Sequence, residues 1–348
     1  MPSGSSKSSK SSKPKPSDVA AETKKYYIPL IKKNYSDTWK TSSLLYMRPC
    51  NLEFGRSTSL APPSFYVYND DPVDFAIRWA TMNETPVAFI CAANDKRPGG
   101  DWETGVIGYE ERLCRRSNLS ATLSHPEPGS GVDCNYPIPI EGGIYSESVV
   151  VFRGPHDRYE KLAPEDWRAL PVVSVPPERW PKLNQNGTKY SFQEERELVK
   201  NKLRAALTIC AWHSISSVVI GDFGLGNGYR NPPQELAELW REVLLYDPVL
   251  RGRIQTVAFV FEDHSQSTAK LILDDIAKKS KGGSGSSSKG KGKSSSSSHS
   301  SGSSSSSSSA SSGYPTDYQI FQHVFDPSEI QRVLSQPDPR LGLGNLIM

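Results

Sequence analysis

Two glycine-rich loops, each lying between a short apolar strand and a helix, constrain the fold of this chain more than any other feature. The first follows a predicted strand at 86–92 and spans residues 94–108, and the second follows a strand at 217–221 and reads DFGLGNGYRN at 222–231. Backbone N–H groups of such loops can bind phosphate. Two loops indicate a diphosphate, although glycines that merely form turns explain either loop alone equally well.

The remaining hydrophobic pattern alternates between strands and helices. It predicts strands at 144–152, 172–175 and 256–261, and helices at 72–82, 109–119, 192–212 and from residue 232 onward. This alternation predicts a layered α/β sheet. Ligands of such sheets bind outside the carboxyl ends of the strands, where both glycine loops emerge, so we expect the two loops to face one cleft.

Two low-complexity segments set the predicted domain boundaries. Residues 1–25 are largely Ser, Lys and Pro, and residues 278–313 are nearly pure Ser, Gly and Lys, so both are predicted to be disordered. Residues 26–277 contain nearly all the aromatic and branched aliphatic side chains and are predicted to form one domain. Apolar residues return at helical spacing in 318–325, so residues 314–334 are predicted to complete the domain after a loop insertion. Residues 335–348 are predicted to form a loosely held tail.

Charge and cysteine content exclude several functional classes. The two low-complexity segments contain 12 of the 41 Lys and Arg residues, which leaves 29 basic against 36 acidic residues, a net charge of −7. This balance argues against sequence-specific nucleic-acid binding by the domain, although the basic segments can bind polyanions weakly. Five cysteines without a CxxC pair predict free thiols, and no metal or cofactor is expected. No apolar stretch approaches the roughly 18 residues of a membrane helix, so no membrane partner and a cytoplasmic or nuclear location are expected.

Three segments carry a resemblance to a known family. Residues 92–119, AANDKRPGGDWETGVIGYEERLCRRSNL, resemble the signature of microbial-type poly(ADP-ribose) glycohydrolases, in which a triple glycine precedes a Gln-Glu-Glu element. Residues 144–155 and 218–240 resemble the family's strand and diphosphate-loop region, and 318–325 its closing helix. The resemblance implies a three-layer α/β/α macrodomain with a mixed sheet, and ADP-ribose or ADP-ribosylated protein or nucleic acid as the ligand.

The resemblance also assigns roles to individual residues. Glu111 takes the position of the catalytic acid, and Glu110 that of the carboxylate that holds the ribose hydroxyls. The implied reaction protonates the glycosidic oxygen through Glu111, develops an oxocarbenium-like ribose and admits a water molecule. The ADP-ribose-binding positions that it implies are Asn94, Gly99, Gly100, Asp101, Phe223, Gly224, Leu225, Gly226, Asn227, Gly228 and Tyr229.

Two departures from the family pattern leave alternatives open. Asp101 stands at the third glycine and would repel a diphosphate unless it turns outward, binds a cation or accepts a hydrogen bond from ribose. Tyr109 stands at the glutamine. A module that binds ADP-ribose without turnover, and a scaffold recruited through its basic segments, therefore remain alternatives to an enzyme.

The residues by themselves also permit plainer interpretations. Without the family match, Glu110 and Glu111 are best explained as an acidic first turn that complements the helix dipole. At least two of Arg112, Arg115 and Arg116 are predicted to lie on an exposed basic helix face. Phe223 and Tyr229 flank the second glycine loop and are predicted to stack on adenine or ribose.

Overall fold

A mixed sheet of seven strands forms the centre of the computed structural model, which describes residues 13–55, 61–282 and 313–336. Five strands run parallel, in the order β5-β3-β6-β7-β2, whereas β4 pairs antiparallel with β5, and β1 antiparallel with β4. The predicted α/β class with a mixed sheet is confirmed. The strands are β1 (Leu44–Tyr46), β2 (Ser64–Asn69), β3 (Val87–Ala92), β4 (Gly143–Val151), β5 (Arg168–Val175), β6 (Ser217–Ile220) and β7 (Thr256–Phe261).

Helices cover both faces of the sheet and make three layers. Successive side chains of a strand point to opposite faces, and in β3 Ala88 and Ile90 enter one core while Val87 and Phe89 enter the other. The first core packs against α6, α7, α9 and α10, and the second against α1, α3, α4 and α5. The helices are α1 (Pro16–Glu22), α2 (Ile28–Asn34), α3 (Pro72–Asn83), α4 (Tyr109–Arg116), α5 (Leu119–Ser124), α6 (Gln193–Trp212), α7 (Pro233–Tyr246), α8 (Thr268–Gly282), α9 (Asp317–Val324) and α10 (Pro327–Leu334).

The N-terminal boundary differs from the prediction. Helix α1, a π-helical turn at Thr23–Tyr27 and α2 follow one another without a break. Val19 and Ala20 are buried, and the Thr23 hydroxyl donates to the Arg115 carbonyl oxygen at 2.7 Å. The prediction of disorder over residues 1–25 is therefore wrong from residue 16 onward, because a few buried side chains anchor a segment whose average composition is polar. Residues 1–12 lie outside the described residues.

The boundaries around the serine-rich segment also shift. Helix α8 continues to Gly282, five residues beyond the predicted end of the domain at 277. The predicted disordered insertion otherwise lies outside the described residues, as does nearly all of the predicted tail at 335–348. Beyond that segment the chain returns to the core, where Phe321 and Phe325 lie 5.0 and 4.4 Å, between ring centroids, from Phe259 of β7.

The direction of the parallel strands positions the candidate site. Strands β3, β6 and β7 are neighbours in the sheet, and all three end at the same edge. The first glycine loop follows β3, and the second follows β6. Both loops and the turn after β7 therefore emerge side by side.

Candidate functional site

The two glycine loops meet at the carboxyl edge of the sheet, as the sequence predicted. The hydroxyl group of Tyr229, at the end of the second loop, donates to the carbonyl oxygen of Ala92 at 3.3 Å, where the first loop begins. Helix α4 starts at Tyr109, directly after the first loop, so Glu110 and Glu111 occupy its first turn. The structure thus brings the predicted acidic pair and both predicted phosphate-binding loops to one place.

Glu110 is buried, and within the described residues only one of its two carboxyl oxygens accepts a hydrogen bond. Only 2% of the residue is exposed, and its Oε2 accepts a hydrogen bond from the Asn94 backbone N–H at 2.7 Å. Oε1 has no hydrogen-bond partner within the described part of the chain. Burial, with the nearby charge of Glu111, raises the pKa of Glu110 to about 8, although N–H groups of Asn94 and Gly99 oppose the shift. Glu110 is therefore mostly neutral at pH 7.

Glu111 lies at the mouth of the first loop and is only partly buried. Its Oε1 accepts a hydrogen bond from the Asp101 backbone N–H at 3.3 Å. A Cβ atom at Gly100 would lie 2.5 Å from that same oxygen, and one at Gly108 would overlap Oε2. The absence of side chains at these two glycines therefore leaves room for the Glu111 carboxyl. The alternative explanation of the acidic pair, as a solvated first turn that complements the helix dipole, is wrong for Glu110, which is buried, and does not account for the bond between Glu111 and the Asp101 N–H.

Backbone geometry and packing explain Gly99 in the same loop. Gly99 adopts a φ of +74°, and a Cβ there would lie 2.8 Å from both the Cys114 sulfur and the Trp102 ring. The Asn94 side-chain oxygen accepts from the backbone N–H groups of Lys96 and Arg97 at 2.8 and 3.1 Å. Asn94 thus shapes the turn through its side chain and holds Glu110 through its backbone.

Two arginines of α4 are buried, contrary to the predicted exposed helix face, and one of them holds this loop. Arg115 is fully buried and donates to the carbonyl oxygens of Trp102, Thr104 and Val106 at 2.9, 2.9 and 2.5 Å. Arg116, 2% exposed, donates to both carboxylate oxygens of Asp71 at 2.9 Å. The prediction failed because carbonyl groups of the preceding loop compensate the desolvated guanidinium of Arg115, and the carboxylate of Asp71 compensates that of Arg116.

Asp101 points away from the loop interior. Its side chain is 48% exposed and forms an ion pair with Arg97. The Asp101 carboxylate therefore turns outward, which is one of the arrangements that the sequence left open, and its partner is a cationic side chain. The repulsion expected between Asp101 and a diphosphate is thereby reduced, because the charge is both solvated and paired.

Hydrogen bonds to side chains fix the backbone of the second glycine loop. Gly224 and Gly226 adopt φ values of +77° and +74°, and the Gly226 N–H donates to the Thr268 hydroxyl at 2.7 Å. Asn231 donates to the Gly224 carbonyl oxygen at 2.8 Å, and the Asn227 side-chain oxygen accepts from Arg230. The Gly226 N–H therefore bonds within the protein, although the family resemblance assigned Gly226 to ADP-ribose binding.

A buried polar network joins this anchor to the chain beyond the serine-rich segment. Asp317, the first residue of α9, accepts from the Thr268 hydroxyl and from the Gln266 amide at 2.7 and 3.1 Å. Gln266 also donates to Asp222 at 3.3 Å and accepts from the Tyr109 hydroxyl at 3.3 Å. Burial raises the pKa of Asp317 to about 6 and that of Asp222 well above its ordinary value. The position of Tyr109 in this network gives it a structural role.

Sequence reasoning missed Gln266, Thr268 and Asp317. The signal that was available is the capping box of α9, in which the Thr316 hydroxyl accepts from the Gln319 N–H and the Gln319 side chain accepts from the Thr316 N–H. It marks the start of an ordered helix at Asp317. The residues next to Asp317 do not indicate that its carboxylate bonds to Thr268, whose hydroxyl in turn accepts from Gly226 of the second glycine loop.

Two aromatic predictions require correction. Phe223 is 3% exposed and packs edge-on against Trp240 at 5.6 Å, so its ring belongs to the core and is not free to stack on a ligand. Tyr229 is 8% exposed, and the Arg179 guanidinium lies over its ring at 5.1 Å. Leu225 is likewise buried and presents its backbone alone. Arg179, which sequence reasoning missed, also lowers the pKa of Glu110 against the effect of burial and so lies near both loops.

The described residues contain no group of three or more His, Cys, Asp or Glu side chains that could hold a metal ion. All five cysteines are free thiols, and Cys91, Cys114 and Cys210 are buried. In the part of the chain that the structure describes, no helix is both long enough and apolar enough to cross a membrane.

Comparison with known proteins identifies relatives of this fold. Residues 15–154 match the family model of the microbial-type PARG catalytic domain, which confirms the resemblance in the first glycine loop and α4. Poly(ADP-ribose) glycohydrolase from Thermomonospora curvata is 20% identical, with a TM-score of 0.54 over 75% of this chain and 98% of that chain. Its complex with the inhibitor ADP-HPD gives 0.53 over 76% and 98%, also at 20% identity. The Deinococcus radiodurans enzyme in complex with ADP-ribose is 22% identical, with a TM-score of 0.51 over 69% and 95%. The predicted macrodomain-like fold is thereby confirmed. No curated protein matches the sequence significantly.

Proposed function

On the premise that residues 15–154 match the microbial-type PARG catalytic domain, we propose that this chain binds ADP-ribose and hydrolyses an ADP-ribosyl glycosidic bond. One observation carries the proposal. Two adjacent carboxyls behind the first glycine loop have different environments, since Glu110 is buried with a pKa raised to about 8, whereas Glu111 lies partly exposed between Gly100 and Gly108. Two carboxyls in different environments can take different roles, so the buried one is suited to hold a substrate hydroxyl and the one at the edge of the loop is placed to reach the glycosidic oxygen.

Glu110 has the properties required to position a ribose. Its Oε2 accepts a hydrogen bond from the Asn94 backbone N–H, which restricts rotation of the carboxyl, and its Oε1 has no partner among the described residues. A ribose hydroxyl placed at Oε1 would satisfy this buried oxygen, whose lack of a partner is costly. The neutral carboxyl can donate as well as accept, which suits a hydroxyl ligand.

Glu111 is the candidate general acid. In the proposed step, the Glu111 proton passes to the glycosidic oxygen as its bond to the anomeric carbon of ribose breaks. A water molecule then adds to that carbon and returns a proton to the Glu111 carboxylate, so the enzyme ends as it began.

The diphosphate is assigned to the two glycine loops. Positive φ values at Gly99, Gly100 and Gly224 turn the backbone where side chains would obstruct it. The Asp101 carboxylate, paired with Arg97, does not face the loop interior. The substrate class is an ADP-ribose polymer or an ADP-ribosylated protein or nucleic acid, and a cytoplasmic or nuclear location remains a prediction.

The experiment compares turnover and binding in one variant. Glu111→Gln should lower the release of ADP-ribose from poly(ADP-ribose) or from ADP-ribosylated protein by about 10²- to 10⁴-fold, as the loss of a general acid does. Calorimetric affinity for ADP-ribose should change little. The matched control is Glu103→Gln on the same loop, where the side chain is exposed and paired with Lys24.

Three results would contradict parts of the proposal. Full activity of Glu111→Gln would exclude it as the acid. Saturable ADP-ribose binding by the unmodified protein without turnover of any tested substrate would favour the non-catalytic binding module. Absence of ADP-ribose binding at millimolar ligand would refute both.

A further inference from the structure

Arg179 follows β5 and has no role in the proposed reaction, although it lies near both glycine loops. The residue is exposed, and its guanidinium lies 5.1 Å from the centroid of the Tyr229 ring. The Tyr229 hydroxyl donates to the carbonyl oxygen of Ala92, so the Tyr229 side chain extends from the second glycine loop to the start of the first. Arg179 therefore lies where the two loops meet.

The backbone on both sides of Arg179 is bonded to the second glycine loop. The Asn231 side-chain amide donates to the Glu178 carbonyl oxygen at 2.9 Å, and the Trp180 N–H donates to the Tyr229 carbonyl oxygen at 2.7 Å. Trp180 has a φ of +55°, a conformation that bulky residues keep only where surrounding contacts impose it. The backbone of Arg179 is thus fixed relative to the loop before a ligand binds, which lowers the entropic cost of a contact with that ligand.

No carboxylate of the described residues forms an ion pair with Arg179. The adjacent carboxylate, Glu178, lies 4.0 Å from Lys202. An exposed guanidinium that has an aromatic ring on one side and no carboxylate partner keeps its N–H donors available for a ligand. Other arginines near the loops are already paired with carboxylates: Arg97 with Asp101, Arg112 with Glu262 and Arg230 with Asp275.

An anion bound at the glycine loops requires a cation, because acidic side chains surround them. Asp101 belongs to the first loop, and Glu110 and Glu111 follow it in the first turn of α4. The Gly226 N–H of the second loop is already bonded within the protein. Burial raises the pKa of Glu110, and Arg179 is among the groups that oppose the rise, so the charge of Arg179 acts on the interior of the site.

We infer that Arg179 binds the diphosphate of ADP-ribose at the junction of the two loops, with its guanidinium donating to the oxygens of one phosphate group. The planar guanidinium matches phosphate in bidentate geometry, and the Tyr229 ring restricts the orientations of that plane. This inference rests on the proposed function. It adds a charged side chain to a diphosphate site that otherwise consists of glycine backbone.

The test measures ADP-ribose binding to the full chain and to Arg179→Gln by calorimetry. Glutamine stays polar but removes the charge and the planar fork of donors. The affinity should fall by about tenfold to a hundredfold, as the loss of charge-assisted hydrogen bonds does. It should also depend less on ionic strength, because one contact between opposite charges is gone. Arg179→Lys keeps the charge without the fork and should recover only part of the loss.

The matched control is Arg253→Gln. The Arg253 guanidinium also lies over an aromatic ring, 4.7 Å from the centroid of Phe54, but the residue precedes β7 and so lies at the opposite edge of the sheet. This variant removes the same charge and the same kind of ring contact. The affinity for ADP-ribose and its salt dependence should both stay as in the unmodified protein. Equal losses of affinity in the two variants would reduce the effect to overall charge and overturn the inference.

Two other results would also overturn the assignment of Arg179. Unchanged ADP-ribose affinity in Arg179→Gln would do so and leave the proposed function intact. Unchanged affinity together with a raised KM for an ADP-ribosylated protein would place Arg179 at the leaving group and not at the diphosphate. If the unmodified protein does not bind ADP-ribose, the proposed function is refuted, and this inference with it.

Discussion

The buried carboxyl of Glu110 gives the sharpest test of the site, and Glu110→Gln is the perturbation. Glutamine keeps the shape of the side chain and retains an oxygen that can accept from the Asn94 and Gly99 N–H groups. It removes only the ionisation. The variant should therefore become more stable relative to the unmodified protein as the pH rises.

The magnitude follows from the shift in pKa. Glu110 titrates near its ordinary value of 4.5 in the unfolded chain and near 8 in the folded protein, mainly because of burial. Below pH 4.5 it is protonated in both states, and its contribution to stability is fully present. Between these values only the unfolded state loses the proton, so the free energy of unfolding falls by about 1.4 kcal/mol per pH unit. Above about pH 8 the loss is complete, and it amounts to about 4 kcal/mol between pH 5 and pH 9.

The assay is urea unfolding at 25 °C between pH 5 and pH 9, followed by tryptophan fluorescence. The difference in unfolding free energy between Glu110→Gln and the unmodified protein should grow by about 4 kcal/mol over this range and level off above about pH 8. Asp222 and Asp317 titrate in both proteins, so their contributions cancel. Glu103→Gln, at an exposed glutamate, should show no such trend. A difference for Glu110→Gln that stays constant with pH would refute the buried, neutral Glu110.

Two further predictions concern the first glycine loop. Gly99→Ala should lower the free energy of unfolding by about 1–3 kcal/mol, because the residue has positive φ and its new Cβ would lie 2.8 Å from Cys114 and Trp102. Gly105→Ala is the matched control, since a Cβ there would have no neighbour within 4 Å. Equal losses of stability for the two variants in urea unfolding would contradict the packing argument. Asp101→Asn should change the free energy of unfolding by less than about 1 kcal/mol, because the Asp101–Arg97 pair is about half exposed. The affinity for ADP-ribose should also change little. A marked gain in calorimetric affinity would show that the carboxylate faces the ligand.

The elements around the site were predictable because their signals are local. The strand at β3 is an unbroken apolar run, and all six of its residues are buried, as a parallel strand covered on both faces requires. Helices α4, α6 and α9 begin and end within a few residues of the predicted bounds, and α7 begins one residue after the predicted start. Strands β1 and β2 were missed because β1 has only three residues and β2 is an edge strand with Tyr66 and Tyr68 exposed.

The sequence by itself therefore determined the order of the strands, glycine loops and helices from β3 to β7, and the place of the acidic pair at the start of α4. Tertiary structure alone decided which polar groups are buried. Arg115 is buried because carbonyl oxygens nine to thirteen residues upstream accept hydrogen bonds from its N–H groups. Glu110 differs from Glu111 because the loop covers one carboxyl and leaves the other at its edge. Asp317, which follows the serine-rich segment in the chain, holds the second glycine loop through Thr268. A periodic pattern records which side of an element is apolar, whereas the burial of one charged group depends on partners in other segments, whose positions are set only when the chain has folded.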